Sequence, residues 1–250
     1  MAGHSHWSKI KRQKGATDAK KGKLFSKHAR LIQTAARLGG GDPDMNARLR
    51  LAIDKAKADG MPKDNVERAV RKGAGETGGA AFEGAVYEGY LAGGVAIVIE
   101  ALTDNRTRTV ANVRNVLERH GGNLASSGAV LWAFEQRALF RFAAATATEE
   151  RLMEVALDAG AEDLRTAGDE LEVVAPPQQF ASVGAALAKA GLAPRSAEVT
   201  WLPNSTVEVK DVEVGRKILA ALEALDDNED VQNSITNFEM ADAVVQALGG

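Results

Sequence analysis

The spacing of apolar residues changes twice along this chain. From Leu24 it is helical: Leu24, Phe25, His28, Leu31, Ile32, Ala35 and Leu38 fall on one stripe. Gly39-Gly40-Gly41 stops that helix. Asp42-Pro43 predicts the start of the next, with Asp as N-cap and Pro at the first helical position, where its missing N–H costs nothing. Leu49, Ala52, Ile53 and Ala56 form its apolar face, and Gly60 ends it. Pro62 opens a third helix with Val66, Ala69 and Val70 turned inward. Three short helices should therefore pack together, followed by a Gly-rich linker, GAGETGGA, at 73–80.

Beyond the linker the period shortens. Phe82 to Leu91 and Val95 to Thr103 read as two strands joined through Gly93-Gly94. Thr103-Asp104-Asn105 supplies cap residues for a helix carrying Val110, Val113, Val116, Leu117 and His120 on one side. Gly121-Gly122 ends it, and Val130, Trp132 and Phe134 alternate as a further strand. Residues 138–202 then follow the order strand, helix, strand, strand, helix, strand, which is the split-βαβ or ferredoxin-like pattern. A short alternating stretch at Thr206–Val209, a helix from about Asp211 to Leu225 and a strand from Val231 to Phe238 cannot build a core alone. They would complete the earlier strands. The expected fold is thus α+β and multidomain. A basic arm and a three-helix domain occupy 1–78, and a discontinuous α/β middle domain 79–136 and 204–240. The ferredoxin-like unit is inserted at 137–203, and a tail covers 241–250.

With 250 residues of which 45% are apolar, the chain can build real cores. It has no cysteine, which excludes disulfides and thiolate zinc sites and fits a reducing cytosol. No apolar stretch of signal-peptide length follows the charged start, and the purest apolar run, VAIVI at 95–99, is too short to span a bilayer. A cytoplasmic protein without a membrane segment is expected.

Charge changes the picture most. The net charge is only −3, but residues 1–78 hold 18 Lys and Arg against 8 Asp and Glu, while the remaining 172 hold 13 against 26. The basic end is suited to a polyanion and the acidic body to solubility. The densest part is Trp7 to Lys23, WSKIKRQKGATDAKKGK, with seven Lys or Arg and one acid. With only Ile10, Ala16 and Ala19 to bury, residues 8–23 should form a mobile arm ahead of the first helix. Its cations gain affinity by releasing counterions from phosphates, and Trp7 can stack on a base for roughly 1–3 kcal/mol. The candidate nucleic-acid contacts are Trp7, Lys9, Lys11, Arg12, Lys14, Lys20, Lys21, Lys23, Lys27 and Arg30.

Arg106 and Arg108, in TDNRTRT at 103–109, extend the candidate set. Two arginines at a helix start oppose the macrodipole, so helix stability does not account for them. They can face a phosphate together with the backbone N–H groups, or be exposed beside a cap made by Thr103 or Asp104.

Other chemistries find no footing. Gly73, Gly75 and Gly78 match G-x-G-x-x-G, but a helix and not a strand precedes them. Gly15 to Gly22-Lys23 has six intervening residues where a phosphate loop has four, and Leu24 stands where Ser or Thr is needed. His4, His6 and His28 lack further ligands at metal-binding spacing. No H-E-x-x-H or G-x-S-x-G motif is present. The reading is of a protein that is not an enzyme and has no cofactor or metal.

Residues 3–70, opening GHSHWSKIKRQKGATDAKKGK, closely resemble the start of the YebC family, as do TDNRTRT, GGNLASSGAVLWAF at 121–134 and VQNSITNF at 231–238. The resemblance covers essentially the whole chain. His6 stands where a Lys is common, removing one fixed charge from the arm, and Gly60 where an Asn is common. The resemblance implies a cytoplasmic protein with a helical N-terminal domain and two α/β domains. Family members are labelled probable DNA-binding transcriptional regulators. Others are linked to translation, through activation of mitochondrial cytochrome c oxidase synthesis and relief of ribosome stalling at consecutive prolines. On that basis a non-enzymatic, monomeric regulator is expected, with ribosomal RNA as the favoured partner. Flexible basic arms fold on irregular RNA, whereas a duplex reader presents a folded helix to the major groove. Duplex DNA is the alternative.

Overall fold

The computed structural model describes residues 18–76, 81–145 and 148–249. They fall into two compact units, one of 18–127 with 216–234 and the other of 128–215 with 235–249.

The first unit opens with α1 (Asp18–Gly39), α2 (Ala47–Ala58) and α3 (Lys63–Gly73). Ile32, Ala35 and Ala36 of α1 meet Leu49, Ile53 and Ala56 of α2 and Val66 and Ala69 of α3 in one buried cluster, closed by Met61. The helix α1 begins six residues before Leu24, so Lys20, Lys21 and Lys23 are helical and not part of an arm. Leu38, expected inside, is 68% exposed. The second helix does not start at Asp42-Pro43. Asp42 instead accepts from Asp44 N at 2.9 Å in a tight turn, and Asn46 is the N-cap. The reason is that an amide both accepts and donates. Asn46 Oδ1 accepts from Leu49 N at 3.1 Å, while Nδ2 donates to Ala35 O and Gly40 O, tying the end of α1 to the start of α2. A carboxylate could make only the first of these bonds.

The helix α3 lies so close to α1 that a Cβ on Gly73 would sit 2.4 Å from Gln33 O and 2.8 Å from Ala36 Cβ. Gly73→Ala is expected to push the two helices apart and destabilise the protein by about 1–3 kcal/mol, the usual cost of overpacking. A urea midpoint equal to that of the wild type would show that α3 can yield.

The chain continues through β1 (Glu83–Tyr90), β2 (Ala96–Thr103), α4 (Arg106–Arg119) and β3 (Asn123–Leu124). The four-stranded sheet has the order β3-β1-β2-β9, with β9 (Val231–Thr236) returning from far along the sequence. β1 and β2 are antiparallel, and β2 is the most buried strand of this sheet, with Val98 and Ile99 wholly enclosed. A strand buried on both faces shows no alternation, which is why AIVIEALT reads as a continuous apolar run.

The second unit begins where Val130, Trp132 and Phe134 were expected to alternate as a strand. Leu131–Ala133 form instead a single 3-10 turn, leaving Trp132 76% exposed. β4 (Phe134–Ala143) starts after it and runs through the junction expected at 136/137. Then come α5 (Glu149–Asp158), β5 (Asp163–Ala167), β6 (Glu170–Ala175), α6 (Phe180–Lys189) and β7 (Ser196–Pro203). The antiparallel order β5-β6-β4-β7 is that of the ferredoxin-like unit. Phe140, Phe142, Leu152, Val173, Val183 and Leu187 fill its core, and Phe140 stacks on Phe180 at 5.2 Å.

After β8 (Val207–Val209) and α7 (Val212–Asp226), the expected strand at 231–238 is two strands, β9 and β10 (Phe238–Met240). β10 pairs in parallel with β8. The tail expected at 241–250 contains a helix, α8 (Asp242–Gly249). Its Val244 is buried and would lie 2.9 Å from a Cβ on Gly215. That contact with α7 explains why so short a segment is ordered.

Candidate nucleic-acid interface

Trp7, Lys9, Lys11, Arg12 and Lys14 lie outside the described residues. The remaining sequence candidates are placed by α1 and by the start of α4. On α1, positions 20, 23, 27 and 30 share a face at helical spacing. Lys20 Nζ donates to Glu223 Oε1 at 2.9 Å and Lys23 Nζ lies 3.1 Å from Asp227 Oδ2. The Glu223 carboxylate raises the affinity of Lys20 for its proton, first by the hydrogen bond and then by charge. Both pairs are largely solvated, which makes them weak. Lys27 is half-buried and also engaged, whereas Lys21 is exposed and makes no hydrogen bond or ion pair among the described residues.

Arg30 is a different case, with a side chain only 14% exposed. Its guanidinium pairs with Asp230, donates to Glu229 Oε2 at 3.2 Å and to Leu102 O at 3.3 Å, and lies 5.2 Å over the Phe82 ring. Both terminal nitrogens of the guanidinium are thus engaged by the protein.

The TDNRTRT segment converges on the same carboxylate. Asn105, not Thr103 or Asp104, is the N-cap of α4, and its Oδ1 accepts from Arg108 N at 3.0 Å. Thr103 Oγ1 accepts from Asn105 N at 2.9 Å. Arg106 Nε donates to Glu83 Oε1 at 2.7 Å, and Arg108 NH2 donates to Asp230 Oδ2 at 2.9 Å and Asp104 Oδ1 at 2.8 Å. Thr109 donates to Asp230 Oδ2 at 2.7 Å. Asp230 thus joins α1, α4 and the start of β9. Burial alone would raise its pKa, but the hydrogen bonds from Thr109, Arg30 and Arg108 outweigh it and hold the carboxyl below its usual range. Arg108 is correspondingly held more firmly protonated, chiefly by Asp230. Arg30, Arg106 and Arg108 are thus each paired with a carboxylate of their own unit.

Beside Asp230 an open cleft of about 550 Å³ runs between α1, α4 and the α7–β9 connection. Asn112, Asn115 and Arg119 line it from α4. Sequence reasoning passed over these three and Asp230. The α4 residues were visible as a polar stripe opposite Val113 and Leu117. Asp230 had no local signal, since its partners lie 121 to 200 positions away.

The ferredoxin-like unit offers no stacking platform of the RNA-recognition type. The sheet face opposite its core carries Arg141 between Glu172 and Glu198, at 3.0 and 2.9 Å, and no aromatic side chain. Among the described residues no group of three or more His, Asp or Glu is placed to hold a metal ion, and no helix is long and apolar enough to cross a membrane.

Residues 5–76 match the family model described as the TACO1/YebC protein N-terminal domain, and residues 82–238 the one described as the TACO1/YebC second and third domain. A protein of Methylacidiphilum infernorum named probable transcriptional regulatory protein is 48% identical over 96% of each chain. One of the same name from Aquifex aeolicus is 46% identical over the full length of both. The crystal structure of a conserved hypothetical protein from Aquifex aeolicus superposes with a TM-score of 0.81 at 45% identity, covering 90% of this chain and 93% of that one.

Proposed function

Because this chain belongs to the TACO1/YebC family, we propose that it is a non-enzymatic, cytoplasmic nucleic-acid-binding regulator of gene expression that binds ribosomal RNA and relieves stalling at consecutive prolines. The observation that carries the reading is how positive charge is distributed between the start of the chain and the folded part. Residues 1–17 hold four Lys or Arg and no acid. In the folded part, Lys20, Lys23, Arg30, Arg106 and Arg108 are all matched by carboxylates of the same unit. A duplex reader needs its cations and amides on a folded element aimed at base edges. Here four Lys or Arg precede α1 in the sequence with no acid among them, an arrangement that suits irregular RNA. The stalling role rests on the family resemblance.

Duplex DNA is the second reading. It is favoured by α2 and α3, two helices joined by four residues through Gly60 at φ 82°, which resemble a helix-turn-helix pair. The name of the relatives points the same way. However, Asp64 and Glu67 at the start of α3 would face the phosphates. The test is cosedimentation with ribosomes beside a titration of mixed-sequence duplex at physiological salt, together with a reporter translated through a proline run. Ribosome binding and faster passage through the prolines are expected. Tight duplex binding without ribosome binding would install the second reading.

A further inference from the structure

The cleft beside Asp230 has an uneven supply of free hydrogen-bonding groups. Its four acids are paired from within by three cations: Asp227 with Lys23, Glu229 and Asp230 with Arg30, and Asp104 and Asp230 with Arg108. Two of its arginines, Arg30 and Arg108, are consumed by the same pairs. Three polar side chains on its wall remain exposed and without a hydrogen bond or ion pair among the described residues: Asn112, Asn115 and Arg119. They follow one another at i, i+3 and i+7 on α4, so all three face the cleft.

From this geometry we infer that the cleft is a reading site for single-stranded RNA, with adenine the base it takes best. The inference rests on the nucleic-acid-binding reading above and adds a place and a base to it. An asparagine amide offers one donor and one acceptor side by side, which matches N6 and N7 of adenine in a bidentate pair. Asn112 and Asn115 are three residues apart, about 4.5 Å along the helix axis. That is close to the roughly 3.4 Å step between stacked bases, so the two amides meet neighbouring bases. Arg119, about 6 Å further along, meets the backbone phosphate. Val116 and Phe82 supply apolar contact beside the amides, the Arg30 guanidinium lying over one face of the Phe82 ring at 5.2 Å. A cleft of about 550 Å³ suits one or two nucleotides and is too small for a duplex. The internal pairing of the acids matters here, since free carboxylates at 227 and 229 would repel the phosphates.

The test is a titration of the full chain with single-stranded rA9, rC9 and rU9 over a range of salt. Wild-type protein is expected to prefer rA9 over rU9 by about tenfold, the discrimination of one good bidentate pair. The double variant Asn112→Ala/Asn115→Ala should lose that preference and keep the salt dependence. Arg119→Ala should keep the preference and lower the log–log salt slope by about 0.7, one phosphate contact. All three positions are exposed, and thermal melts of the variants should match the wild type. The conservative Asn115→Asp, which keeps shape and removes the donor, should also flatten the preference. A wild type that binds all three oligomers equally, or a double variant that still prefers rA9, overturns the site and leaves the nucleic-acid reading standing. A wild type that binds none of them at low salt overturns both.

Discussion

Asp230→Ala is expected to destabilise the first unit by about 3–5 kcal/mol, the usual cost of removing one partner from a buried ion pair. Asp230 is 3% exposed and receives Arg30, Arg108 and Thr109. Its removal leaves Arg30, a side chain only 14% exposed, with the half-exposed Glu229 as its remaining carboxylate. Asp230→Asn keeps the shape and one acceptor and should cost less, about 1–3 kcal/mol. The effect has a defined pH window. The folded carboxyl titrates below its ordinary value of 3.8, so the stabilisation is complete above that value. It is lost as pH falls through the lower, folded value. The stability gap between wild type and Asp230→Asn should therefore be flat from neutrality to about pH 5 and close only below about pH 4. Urea unfolding followed by circular dichroism measures both quantities. Among the described residues both tryptophans, Trp132 and Trp201, belong to the second unit, so backbone circular dichroism is the better probe of the first. An unchanged midpoint in Asp230→Ala would mean that the arginines find other partners.

Removing residues 1–17 is expected to weaken RNA binding by about 200-fold at roughly 0.15 M salt. Four phosphate contacts from Lys9, Lys11, Arg12 and Lys14, each worth about 0.7 in the log–log slope, give a slope change of about 3. Extrapolated to the salt concentration at which counterion release no longer drives binding, about 1 M, that change yields the factor quoted. The protein without these residues should melt as before, because residues 8–17 have only Ile10 and Ala16 to bury. The lysines of α1 supply an internal control. Lys20→Ala and Lys23→Ala should weaken binding less than Lys21→Ala, since Lys20 and Lys23 are shared with Glu223 and Asp227 while Lys21 has no such competitor. Equal losses at all three positions would show that the RNA displaces the carboxylates. Undiminished binding after removal of 1–17 would place the polyanion site elsewhere.

The sequence by itself determined the parts of this protein whose signals are local. Helical spacing located Ile32, Ala35, Leu49, Ile53 and Ala56 in the N-terminal core, and the order of strands and helices gave the ferredoxin-like unit. The return of residues 231–236 to the first sheet was legible because a lone helix and strand have no core to make. The start of α1 was not legible. Asp18 to Lys23 carries too few apolar residues to show a period, and its tertiary contacts include solvated ion pairs to residues 223 and 227, far along the chain. The N-cap of α2 was misassigned because Asp42-Pro43 is a good local start. Asn46 prevails by also reaching Ala35 and Gly40. The largest difference concerns the arginines. In sequence, Arg30, Arg106 and Arg108 are cations near a basic arm and read as phosphate ligands. Only the tertiary structure brings Glu83, Glu229 and Asp230 against them, and a guanidinium held by a buried carboxylate is a brace before it is a binding group. Charge counts along a chain cannot show this, because electrostatic pairing depends on distance in space, and Asp230 lies 200 positions from Arg30 and 122 from Arg108.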